Sequence, residues 1–151
     1  MKVMDITKLA ELARRDKTLP LLPLKDPLNE KKASLYAELE LNLATFFRSP
    51  KEERLKRYCI VLKDFLAIAN ETKWLYLLLL DEQQIVQFST KWQTRSLNVL
   101  YLILQQQVNK SYFERKSEPL VHAWHIFIKY GLVEAGFTPE QIEEKYYELY
   151  A

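Results

Sequence analysis

His122 and His125 stand three residues apart, with Glu118 one turn before His122. On a helix all three share one face, and imidazole with carboxylate is zinc-ligand chemistry. The spacing matches none of the usual zinc signatures. The two histidines flank Trp124, so they read as residues of a half-buried helix rather than as ligands. Cys59, the single cysteine, could be a nucleophile, but it lies in the middle of an apolar stripe with no histidine near it in sequence. That is the setting of a buried thiol. With two glycines in 151 residues, no glycine-rich loop of the phosphate-cradling kind can be built. The nine tyrosines are spread along helical stripes and fit core packing.

The elements that must position these groups are helical. Asp5 to Asp16 reads as a short amphipathic helix with Ile6, Leu9, Leu12 and Ala13 on one stripe. Pro20, Pro23 and Pro27 hold Leu19 to Leu28 extended, and the alternating leucines there predict a segment lying across the core. Asn29 is the expected N-cap of the next helix, on which Leu35, Leu39, Leu43 and Phe46 recur at helical spacing. Pro50 is expected to open a second long helix as its first residue. Its wide stripe of Leu55, Tyr58, Cys59, Leu62, Phe65, Leu66 and Ala69 predicts burial on more than one side.

After Asn70 the run Trp74 to Leu80 fits a buried strand or a buried helix by pattern, and its helical neighbours favour helix. Helical spacing continues through Ile85, Phe88 and Trp92, then Leu97, Leu100, Tyr101, Leu104 and Val108, with a break expected near Thr94. Ser117 is the expected cap of a helix to about Ala135, ended by Gly136. Thr138-Pro139-Glu140-Gln141 is a start signal for a last helix carrying Ile142, Tyr146 and Leu149.

Composition bounds the rest. A chain of 151 residues fits one domain and buries roughly two thirds of its unfolded surface. Apolar residues at 48% exclude a disordered chain. So few glycines disfavour hairpin-rich sheets, leaving an all-α bundle of about six or seven helices. The net charge of +2 gives no footprint for nucleic acid or an acidic membrane. The lone cysteine points to a reducing cytoplasm. Asp5, Lys8, Glu11 and Arg14 interrupt any secretory signal, and Trp74 to Leu80 falls far short of the ~20 apolar residues that span a bilayer.

Two stretches carry a resemblance. One is EKKASLYAELELNLATFFRSP with KRYCIVLKDFLAIAN beyond the turn; the other is YGLVEAGFTPEQIEEKYYE. In order and spacing they resemble the all-α NTP pyrophosphatase (MazG-like) group, above all the dimeric dUTPases, over a little more than a third of the chain. The resemblance implies a Glu-x-x-Glu helix facing a Glu-x-x-Asp helix. Glutamates at i and i+3 share a face, and two such faces can surround Mg²⁺, which neutralises a triphosphate and positions a water.

Carried over, the four ligand positions fall on Glu38, Leu41, Arg57 and Ile60, so three carboxylates are replaced and Arg57 repels a cation. Glu40 lies roughly 200° round the helix from Glu38 and faces away. Asp64, one turn beyond Ile60, could supply one carboxylate beside Glu38. The resemblance also implies a polar tail beyond Ala151, which the sequence does not contain. It therefore implies a non-catalytic binding or regulatory member of the dimeric dUTPase-like fold, without cofactor and with a nucleotide as possible ligand. The alternative is a Mg²⁺-dependent dUTP/dNTP pyrophosphatase ligating metal through Glu38 and Asp64; an unrelated helical domain also remains open. A two-fold homodimer burying well over ~1,200 Å² is expected. A Glu38–Arg57 ion pair is expected across the vacant metal site, with Asp64 as second acceptor, unless Arg57 extends to solvent.

Overall fold

A computed structural model of the chain describes residues 4–90 and 94–151. These residues form eight α-helices and no strand, so the chain is all-α as its composition predicts. The helices are α1 (Ile6–Arg15), α2 (Pro27–Arg48), α3 (Arg54–Thr72), α4 (Leu75–Leu78), α5 (Glu82–Phe88), α6 (Leu97–Glu114), α7 (Ser117–Lys129) and α8 (Pro139–Tyr150). Trp92 lies outside the described residues.

Helix α3 is the central rod. It pairs with α2 as an antiparallel hairpin and also packs against α1 and α8, while α6 packs on α7 and α2. Tyr58, Cys59, Val61, Leu62, Phe65, Leu66, Ile68 and Ala69 of α3 are all buried, as a stripe covered on several sides requires.

Local signals explain most boundaries. The Asp5 carboxylate accepts the Lys8 backbone N–H and starts α1. Asp81 and Gln84 form one capping box, Thr138 and Gln141 another. Gly136 adopts φ +75° beyond the turn that follows α7, a conformation glycine reaches without strain. Gly131 serves a different purpose: a Cβ there would overlap the Tyr58 phenol, whose hydroxyl donates to the Phe127 carbonyl at 2.8 Å. The Trp124 indole donates to the Leu78 carbonyl at 2.9 Å, tying α4 to α7.

Several expectations are corrected. Leu19, Leu21, Leu22 and Leu28 are exposed rather than laid across the core. The strap between α1 and α2 is held by its backbone: Glu38 takes the Leu21 N–H at 2.8 Å, and Glu30 takes those of Lys25 and Asp26. With the amides turned inward onto carboxylates, the leucines project outward. Helix α2 begins at Pro27 after Asp26, so Asn29 sits inside the first turn and donates to the Asp26 carboxylate. Pro50 opens one 3-10 turn, Lys51–Glu53, before α3. The run from Trp74 yields only one helical turn, because Leu79 is already extended ahead of the Asp81 cap. Lys116 rather than Ser117 caps α7. Helix α7 then ends at Lys129, and a π-helical turn over Tyr130–Glu134 carries the chain on to Ala135.

Candidate functional site

The site is built outward from one hydrogen bond. Asn42 on α2 and Asp64 on α3 both interrupt apolar stripes, and Asn42 Nδ2 donates to Asp64 Oδ2 at 2.6 Å. Asp64 is 2% exposed. A lone carboxylate at that depth is costly, so its second oxygen also needs a partner. Lys63 supplies it: Nζ lies 3.2 Å from Asp64 Oδ1 and 3.2 Å from Asp16 Oδ2, at the end of α1. The Tyr150 ring, 5.8 Å from the same ammonium, covers it from α8.

Burial pushes the Asp64 carboxyl up to about 6, against the pull of Lys63 and Asn42, and the Glu38 carboxylate adds to the rise. Burial draws the Lys63 ammonium down, but the carboxylates of Asp64 and Asp16 outweigh it and hold Lys63 above the ordinary lysine range.

Asp16, Lys63 and Asp64 floor a cleft of about 410 Å³ between α1, α2, α3 and the strap, which contributes Thr18 and Pro20. Glu38 stands in its wall with one oxygen on the Leu21 amide. Lys31 and Glu71 pair at 3.0 Å on the same lining.

The structure brings Glu38 and Asp64 to one cleft and leaves Leu41, Arg57 and Ile60 out of it. Leu41 is 39% exposed. Arg57 is half-buried, and its Nε has no hydrogen-bond partner. Among the described residues there is no Glu38–Arg57 ion pair, which corrects that expectation. Helix register is the reason. With Asn42 facing Asp64 in an antiparallel hairpin, Glu38 faces α3 near Ala67 and Ile68, whereas Arg57 faces the end of α2 near Ser49. The two are offset by about eleven residues, or roughly 16 Å at the helical rise. Glu40 points to α6, where Gln105 reaches its carbonyl.

Mg²⁺ does not fit the donors as they stand. It needs carboxylate oxygens free of competing cations and hydrogen-bond donors. Asp16 and Asp64 share an ammonium, Asp64 also takes an amide, and Glu38 takes a backbone N–H. Among the described residues no group of three or more His, Cys, Asp or Glu side chains is arranged to hold a metal ion. That includes the helix of Glu118, His122 and His125. His125 instead lies against the Phe88 ring, 5.2 Å between centroids, and burial lowers its pKa. Cys59 is buried with its thiol pushed up to about 12, as a structural thiol should be.

Asp16, Asn42 and Lys63 were not among the residues singled out by sequence. A signal existed for two of them: a polar residue at an apolar position of a helical stripe, as Asn42 between Leu39 and Phe46, or Lys63 beside such an acid. Asp16 had none, because only the packing of α1 on α3 brings it near.

No protein-family model, curated protein or solved structure matches the chain. No helix among the described residues is long and apolar enough to cross a membrane.

Proposed function

We propose that this chain is a non-catalytic, homodimeric binding or regulatory protein of the dUTPase-like all-α kind, with an internal cation in the cleft of Glu38 and Asp64, the two carboxylates through which the pyrophosphatase alternative would hold Mg²⁺. The observation that carries the reading is the position of Lys63 Nζ, 3.2 Å from each of two carboxylates in the cleft between the two central helices. An ammonium there neutralises the buried charge but cannot ligate water or phosphate oxygen as Mg²⁺ does. A nucleotide is the ligand class the resemblance suggests for the cleft. Assembly as a dimer is supported by the apolar side chains that α6 leaves exposed, Val99 at 53% and Leu102 at 63%.

The test is a hydrolysis assay over all dNTPs and dUTP with Mg²⁺ or Mn²⁺, run beside light scattering. No turnover and a dimer at micromolar concentration are expected. Turnover on the order of 1 s⁻¹ would restore the Mg²⁺-dependent pyrophosphatase reading through Glu38 and Asp64. A monomer would remove the assembly.

A further inference from the structure

On the side of α2 away from the strap, two adjoining hollows of about 490 and 260 Å³ share Lys32, Tyr112 and Arg115. Phe113 lines the first, and Lys73 and Trp74 line the second. The three cations come from three helices: Lys32 from α2, Lys73 from the cap of α3 and Arg115 from the cap of α6. Among the described residues none of the three has an ion-pair partner. Glu71, which also lines the second hollow, is already paired with Lys31.

Two features separate this groove from an ordinary basic surface. The first is charge. Basic residues commonly sit at helix C-termini because each end carries roughly half a negative charge. Two such ends account for about one of the three positive charges, so a surplus of about two remains. The second is conformation. Lys73 and Arg115 occupy left-handed backbone, at φ 64° and φ 55°, and they are the described non-glycine residues that do so. Glycine is the unstrained residue at such caps, so two long cationic side chains stand where a chain optimised for stability alone would have none. Beside them, Phe113 is 76% exposed next to Tyr112, 5.0 Å between ring centroids, a large apolar surface facing water at the edge of a positive hollow.

We propose that this groove binds a phosphorylated aromatic small molecule, with the phosphate on Lys32, Lys73 and Arg115 and the aromatic ring against Tyr112 and Phe113. A phosphomonoester carries about −1.5 to −2 at neutral pH, which matches the surplus. Guanidinium and ammonium groups suit its oxygens. The floor beneath is tied together by hydrogen bonds: Tyr36 and Ser111 share one of 2.8 Å, and Ser111 donates on to the Lys116 carbonyl. The groove adjoins the cleft of Lys63 at Glu71, which lines both, and the proposal does not rest on what that cleft does.

The experiment is an NMR titration of the ¹⁵N-labelled full chain with phenyl phosphate, inorganic phosphate and phenol. Phenyl phosphate is expected to shift the Trp74 indole and the amides of Lys73, Tyr112 and Arg115, at an affinity tenfold or more above either fragment. Shifts elsewhere, no shifts, or equal affinity for inorganic phosphate would overturn the proposal. Arg115→Gly separates binding from folding. Its melting temperature should hold or rise, because glycine suits the left-handed cap, while affinity for phenyl phosphate falls tenfold or more. Unchanged affinity in Arg115→Gly, with Lys32→Glu also unchanged, would overturn it equally.

Discussion

Asn42 and Asp64 join the two central helices by a 2.6 Å hydrogen bond inside the protein, and that contact marks the register at which α2 and α3 meet. In that register Glu38 lies over the cleft and Arg57 at the far end of the hairpin. Charge in the cleft is then settled locally, by Lys63 between Asp16 and Asp64.

The Asp64 carboxyl gives a pH signature. Its folded pKa of about 6 lies above the value near 4 of an unfolded aspartate. The native state therefore binds the proton more tightly, and this group adds stability as pH falls from about 6 towards 4. The contribution is absent above that window and is on the order of 2 kcal/mol. Thermal melts of wild type and Asp64→Asn from pH 7.5 to 4.5 should show the difference moving in favour of wild type as pH falls. A constant difference would mean Asp64 does not titrate there.

Removing Lys63 leaves two carboxylates without their shared cation, one of them buried. Lys63→Met should lower stability by about 3–5 kcal/mol, the usual cost of stranding one side of a buried pair. Urea melts read this directly, and a loss below about 1 kcal/mol would show that solvent already screens the pair.

Arg57→Ala should be mild. Arg57 has no ion-pair partner among the described residues, and its Nε makes no hydrogen bond. A change within about 1 kcal/mol is expected, and the same melts would expose a larger loss, the mark of a stranded partner carboxylate.

The all-helical architecture was legible because its stripes are long and regular: Leu39, Leu43 and Phe46 on α2, and Leu62, Phe65 and Ala69 on α3, are buried as their spacing requires. Capping chemistry located the start of α8, and the apolar stripe that of α1. The site was legible in part. Glu38 and Asp64 do share a cleft, but Arg57 was paired with Glu38 by analogy of motif, and motif spacing within each helix says nothing about the register between helices. The strap misled for a related reason. Alternating leucines look like core when side chains alone are counted, whereas Glu38 and Glu30 bind the strap by its amides.

Lys63 holds the two carboxylates that a metal ion in this cleft would need, and a calorimetric titration of Mn²⁺ into wild type and Lys63→Met at neutral pH tests this most directly. Wild type should show no site at Mn²⁺ concentrations below about 1 mM, because the oxygens of Asp16 and Asp64 that a metal would need already face an ammonium. Lys63→Met should gain one weak site that Asp64→Asn in the same background removes. Micromolar Mn²⁺ binding by the wild-type chain, lost in Asp64→Asn, would contradict the account.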